Sequence, residues 1–322
     1  MRVQPPAAVT LAVHSIGIAE RDRGIGPWLM SGVIGLVTIA GVCLIHQTHT
    51  TVPLAPHRPL PTAASASGIN GSPWIGFKYV EQFIHSYQFW PVLWNTLVLN
   101  IYGLIALFPL PIVLALLLNS LRAPRFSRIV QLITYAPYFI STVVVVGIII
   151  MLFSPTTGVV NNMISGITGH TVNFLGVGWF RHTFVWSGAW QMVGYSAIIY
   201  LAALAGISPE LHEAARVDGA SILRRSWHID LPGILPVSIT LLILNMGQLL
   251  SVGFEKVLLM QSPLNQSVSQ VIDTYSFQVA FASAIPQYSY ATAIGLFKSV
   301  ISLILVLVAN SLARRVAKQS LF

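Results

Sequence analysis

The segment Gly206-Ile207-Ser208-Pro209-Glu210-Leu211-His212-Glu213-Ala214-Ala215-Arg216-Val217-Asp218-Gly219-Ala220, followed after eight intervening residues by Ile229-Asp230-Leu231-Pro232, is a charged island between two long apolar stretches. Its chemistry predicts a short helix over about 209–222. Ser208 suits the N-cap, and Pro209 suits the first helical position, whose N–H needs no partner. Glu210 and Glu213 put negative charge beside the positive end of the helix dipole. Leu211 stands where a capping box needs Glu or Gln, so that device is lacking. At four-residue spacing Leu211, Ala215 and Gly219 share a face, with Ile222 nearby. Ala214, Ala215, Gly219 and Ala220 keep the helix thin. Glycine inside a helix costs about 1 kcal/mol relative to alanine. Gly219 therefore marks either a close approach by another surface or a turn at the helix end. Pro232 and Pro236 are expected to end the island and open the next apolar helix. Spacing alone leaves two readings open: a docking helix for another protein, or a surface helix with Arg224 and Arg225 on lipid phosphates.

Composition decides the solvent. The 322 residues are 55% hydrophobic and 8% charged, against about 25% charged in soluble domains. Such a chain cannot coat a globule with polar side chains, so a bilayer is expected. Crossing hydrocarbon takes about 20 apolar residues. Six runs of that length lie near 27–46, 92–118, 129–153, 182–205, 234–254 and 290–312, giving an all-α integral membrane fold with six spans. The first run starts late and has no small-x-small cleavage site, so it reads as an uncleaved anchor rather than a signal peptide. Arg2, Arg21, Arg23, Arg122, Arg125, Arg128, Arg216, Arg224, Arg225, Arg314, Arg315 and Lys318 fall on one side, twelve of the 17 basic residues. The positive-inside rule makes that side cytoplasmic, with both termini and the charged island. The +8 net charge is thus an orientation signal, spread over short loops, and not a nucleic-acid patch.

Residues 1–73 read as one region, holding the first span and an outer loop rich in Pro, Ala, Ser and Gly; residues 74–318 read as the transmembrane domain proper. Between Trp74 and Trp90 the chain turns aromatic, which fits an interfacial helix along the outer leaflet. The outer loops 154–181 and 255–289 are rich in Gly, Asn, Gln and Ser, as solvated linkers or as a surface for an extracytoplasmic partner. Cys43 is the sole cysteine, so no intrachain disulfide framework exists. His46, His49 and His57 lack a fourth ligand, and no metal site is assigned. No catalytic residues are assigned either, because no nucleophile and base set stands out.

The spacing Glu213-Ala214-Ala215, Gly219, Ile229-x-Leu231-Pro232, with Asp218-Gly219-Ala220 inside it, resembles the cytoplasmic loop of ABC importer permeases of the maltose type, type I. Gly253-Phe254-Glu255-Lys256 and Gln287-Tyr288-Ser289-Tyr290-Ala291-Thr292-Ala293-Ile294-Gly295 are similar to the subgroup for complex oligo- and polysaccharides, alginate among them. The resemblance implies a type I permease fold in a bacterial inner membrane. It implies a second permease subunit, two ATPase subunits, an extracytoplasmic solute-binding protein and a carbohydrate cargo. It assigns Glu213, Ala214, Ala215, Asp218 and Gly219 to a coupling helix seated on the ATPase. The chain has no G-x-x-x-x-G-K-[ST] loop, so ATP and its Mg²⁺ are expected on the partner subunits and no cofactor on this chain.

Polar groups inside the spans are candidates for the cargo path. Lys298 sits about 24 Å above Arg314 at 1.5 Å per residue, and shares a face with Ala291, Gly295 and Ser302. It lines the path, suiting an anionic sugar, or pairs with an acid such as Glu255, or snorkels to the outer interface. Asn245, Gln248 and Glu255 fall on one face of span five. Span four carries Trp186, Trp190, Gln191 and Tyr195, the amides and flat rings that sugars bind. Trp186 equally suits an aromatic belt. Asn95, Thr96 and Asn100 suit hydrogen bonds between helices. The competing function is an ion-coupled carrier, for which only Glu255 and Lys298 offer membrane charges and no inverted repeat is evident.

Overall fold

The computed structural model describes residues 76–317 apart from 122 and 284. The first apolar run, Cys43, His46, His49 and His57 lie outside the described residues, as do Lys318 and both chain ends. Among the described residues the chain is nearly all helical and has no strand.

Helix α1 spans Lys78–Ile84. Helices α2 (Phe89–Leu107) and α3 (Pro109–Ser120) continue as one apolar unit of 32 residues. Then come α4 (Pro124–Tyr135), a 3₁₀ turn (Ala136–Phe139), α5 (Thr142–Phe153), α6 (Val159–Thr168) and the 26-residue α7 (Phe180–Ala205). Helix α8 (Pro209–Val217) is followed by α9 (Ile222–Arg225), which runs through a π turn (Ser226–Asp230) into α10 (Leu231–Gly247). Three short helices follow: α11 (Phe254–Met260), α12 (Gln266–Ser269) and α13 (Ile272–Phe277). The chain ends in α14 (Tyr288–Ala317).

Four of these units are long and apolar enough to cross a bilayer, and the α4–α5 pair makes a fifth. In none of the four is more than 28% of the most apolar stretch buried. Their outer surfaces therefore need hydrocarbon or another chain. Three buried clusters hold them together: one around Leu99, Val145, Phe180 and Val257; one around Phe83, Leu250, Ile272 and Ile294; and one where Ala115 and Ile234 meet Ala197 and Leu204 of α7.

Several expectations change here. The run 129–153 is not one straight span, because α4 and α5 meet at 98°. Pro137 cannot donate its nitrogen, Ile140 is extended, and the Ser141 hydroxyl accepts from Val144 N to start a new helix. The run 234–254 is shifted: its helix begins at Ile222 and ends at Gly247. Pro232 and Pro236 do not end the island but sit inside a continuous unit. The π turn explains this, since Leu231 N–H reaches back five residues to Ser226 O and widens the helix just before the Pro232 ring. The aromatic stretch before Trp90 folds as α1, yet its Phe83 is fully buried. Phe83 meets the rings of Phe89, Phe297, Tyr275 and Tyr290 at 5.1, 5.5, 6.2 and 6.4 Å, which ties α1 to the last helix.

The segments 154–181 and 255–289 are packed rather than solvated at their centres. Asn161 is fully buried; its Nδ2 donates to the carbonyls of Phe153, Ser154 and Val172, and its Oδ1 accepts from Val172 N. Asn265 is fully buried too, donating to Leu175 O and Met260 O and accepting from Ser262 N and Ser269 Oγ.

Candidate functional site

The charged island makes a helix that no other part of the chain covers among the described residues. Ser208 is the N-cap residue and Pro209 occupies the first turn, although the Ser208 hydroxyl makes no cap bond. The helix ends at Val217, earlier than the expected 222. Gly219 adopts φ +73°, its N–H bonds to Arg216 O, and Ala220 N–H bonds to Ala215 O at 2.8 Å. These two bonds form a Schellman closure, which wants glycine at its left-handed position. The turn reading of Gly219 thus holds within the chain, and no atom lies within 4 Å of where its Cβ would be. No residue of α8 is buried. Glu213, Ala214, Asp218 and Gly219 are exposed, and Ala215 is half-buried. Leu211, Val217, Leu223 and Trp227 add exposed apolar surface, Val217 at 89%.

On the inner side of α8, His212 Nε2 lies 3.2 Å from Oδ1 of buried Asp230 in the π turn, a close approach without hydrogen-bond geometry. A cavity of about 760 Å³ separates the helix from the ends of α3 and α7; His212, Glu213, Arg216, Arg225 and Asp230 line it.

Further along the bundle, two adjoining cavities collect most of the expected cargo residues. One, of about 920 Å³, is lined by Gln191, Asn245, Gln248 and Glu255, together with Tyr138, Asn100 and Lys256. The other, of about 830 Å³, is lined by Lys298, Asp273 and Gln248. Gln248, Ser251, Val252, Gly253 and Phe254 belong to both walls. These are the residues of the break after Gly247, so Glu255 reaches the cavity from α11 and not from the face of α10. Gln191 Nε2 also donates to Ile140 O at 3.0 Å, satisfying a carbonyl freed by the α4–α5 bend.

Trp186 and Trp190 line neither cavity. Trp186 is half exposed and donates from Nε1 to the Tyr102 hydroxyl, which lies 2.8 Å from His182 Nδ1. Tyr195 stacks on Tyr138 with ring centres 3.7 Å apart and planes 2° from parallel, backing one wall. Lys298 pairs with Asp273 at 2.5 Å, not with Glu255. Asn95 and Thr96 do join helices to one another: Asn95 Nδ2 donates to Ser267 O and Gln270 O, and Thr96 Oγ1 accepts from Ile272 N. Asn100 bonds only within its own helix, to Thr96 O. Asp273, Lys256 and Tyr138 were not among the candidates the sequence offers; of these only Lys256 carried a signal, as a charge next to Glu255.

A bundle of apolar helices with polar cavities in its wall suits a protein that passes a polar solute through a membrane. Residues 90–318 match the family described as binding-protein-dependent transport system inner membrane component, and the chain belongs to it. It is a transport subunit of the ABC importer class and not itself an enzyme. Similar proteins include LplB of Bacillus subtilis, 42% identical over 252 residues, covering 78% of this chain and 79% of that one. The polygalacturonan/rhamnogalacturonan transport system permease protein YteP of the same organism is 41% identical over 256 residues, covering 79% of each. A solved structure of a bacterial ABC transporter involved in the import of the acidic polysaccharide alginate superposes with TM-score 0.75 at 34% identity, covering 96% of this chain and 95% of that one. A second, in complex with an alginate pentasaccharide-bound periplasmic protein, gives TM-score 0.75 at 33% identity, covering 98% of this chain and 95% of that one.

Proposed function

We propose that this chain is one of two permease subunits, the second a different chain, of an ATP-driven importer of oligo- or polysaccharides, acidic ones in particular, in a bacterial cytoplasmic membrane. The observation that carries the reading is the uncovered α8, with Glu213, Ala214, Asp218 and Gly219 all exposed. Two ATPase subunits, which bind ATP and Mg²⁺, seat on such helices, and Glu213, Ala214, Ala215, Asp218 and Gly219 form the contact on this chain. A solute-binding protein delivers cargo from outside. The path runs past Gln191, Asn245, Gln248, Glu255 and Lys298, with Trp186, Trp190 and Tyr195 around its rim. The transmembrane domain covers 74–318, the first run adds a sixth span, and both termini are cytoplasmic. Supporting this reading are the spacing of the island, the distribution of basic residues, and relatives whose cargo is galacturonan or alginate.

The test is uptake of labelled oligogalacturonate or oligoalginate into liposomes holding the reconstituted complex. Uptake is expected only with ATP and binding protein both present. Uptake driven by an ion gradient, without the ATPase, would establish the carrier reading instead.

A further inference from the structure

Among the described cations between the helices, Lys298 is neutralised by Asp273. Arg181 has no ion pair among the described residues; its Nη2 donates to the neutral Asn95 Oδ1 at 3.0 Å, and it lines neither cavity at the break after Gly247. Lys256 combines the lack of an ion pair with a place in a cavity wall. It is 8% exposed and forms no ion pair among the described residues. Its Nζ donates to Phe184 O at 3.1 Å and lies 5.0 Å from the centre of the Phe184 ring. Gly188 faces it without a side chain; a Cβ there would stand 3.3 Å from Nζ. An ammonium has three donors, and one is used.

Burying an unpaired lysine is unfavourable. A neutral amide could donate the same hydrogen bond to Phe184 O; only the contact with the Phe184 ring uses the charge, and a ring neutralises a buried ammonium less fully than a carboxylate does. The charge itself therefore needs a reason, and its position supplies one: Lys256 lines the 920 Å³ cavity. Glu255 lines the same cavity, but is exposed. Solvent and salt screen an exposed charge far more than a buried one, so the cation sets the field inside. We propose that Lys256 is the specificity residue that meets the carboxylates of an acidic saccharide as it crosses this cavity. The proposal rests on the permease reading above.

The experiment compares uptake of tetragalacturonate as the free acid and as its full methyl ester, in liposomes with the intact complex and binding protein. Lys256→Gln is expected to lower free-acid uptake tenfold or more and ester uptake less than twofold. Lys256→Arg should stay within threefold of wild type for the acid. Equal loss of both cargoes in Lys256→Gln, or failure of Lys256→Arg to rescue, reduces Lys256 to a brace and overturns the proposal. Unchanged free-acid uptake in Lys256→Gln does the same. If the wild-type complex takes up only the acid, the Arg and Gln variants decide on that cargo alone. A wild-type complex that imports neither, with its ATPase unstimulated, removes the permease reading and this proposal together; import of the ester alone removes only the proposal.

Discussion

Gly219 holds a conformation that costs an L-residue about 1–2 kcal/mol, and nothing among the described residues crowds it. Its worth is therefore conformational: it closes α8 and aims the chain back toward α9. Replacing Gly219 with alanine should weaken ATPase docking by about 1 kcal/mol, about fivefold in the dissociation constant. Asparagine, which tolerates the left-handed region, should lose less. Titrating ATPase subunits onto the purified permease measures this, and equal affinities for the glycine and alanine proteins would show that the closure does not govern docking. This residue was readable in advance as a turn or a close approach, because glycine inside an otherwise good helix costs stability and has few uses besides these two. Lys298 was readable only by half. That a charge in a span needs an answer follows from desolvation, but which acid answers it depends on how α13 folds against α14, and Asp273 lies 25 residues away in sequence.

At the scale of elements, α8 and α10 are joined by the His212–Asp230 contact across the π turn. If the ATPase docks on α8 as proposed, this close approach is the route by which its movement would reach the base of α10. Asp230→Asn and His212→Phe should each depress ATPase stimulation by loaded binding protein, while ATPase subunits still co-purify. The double variant should be no worse than the worse single one, since both remove one link. Additive losses would show that the two residues act separately. The π turn and the α4–α5 bend were the least legible elements. Apolar periodicity counts residues and is blind to one extra residue in a turn or to a right angle between two apolar halves. Pro137, Pro232 and Pro236 announce that something happens to a helix. Whether it breaks or bulges depends on neighbours: Gln191 supplies a donor to Ile140 O at the bend, and no neighbour is needed where Leu231 N–H skips back to Ser226 O.

For the whole molecule, α7 runs 26 residues, about 39 Å, from the 154–181 segment to the island. The two segments therefore occupy opposite faces. In a Cys43→Ser background, Thr156→Cys should react with a membrane-impermeant maleimide in intact spheroplasts, and Val217→Cys only in inside-out vesicles. The reverse pattern would invert the orientation that the basic residues give. Both sites are exposed on this chain, and cells lacking the ATPase subunits supply the vesicles, so that a docked partner does not mask Val217. Fold class was legible because charge scarcity and run length report on solvent directly. The cavities were not, because they exist only where α10 stops early and α11 and α13 fold back beside it.

The link from Asn95 to Ser267 and Gln270 closes over 172 and 175 residues of chain. Its carboxamide thus enters the membrane long before its carbonyl partners are made. At about 5–20 residues per second, that interval is roughly 10–35 s. Arg181, 86 residues on, can meet the amide oxygen partway through, but the amide hydrogens wait for the full interval. Ribosome stalling or truncation before residue 267 leaves Asn95 short of its final contacts. The price of a polar seam that locks the finished bundle is a chain that depends on its last third being made promptly.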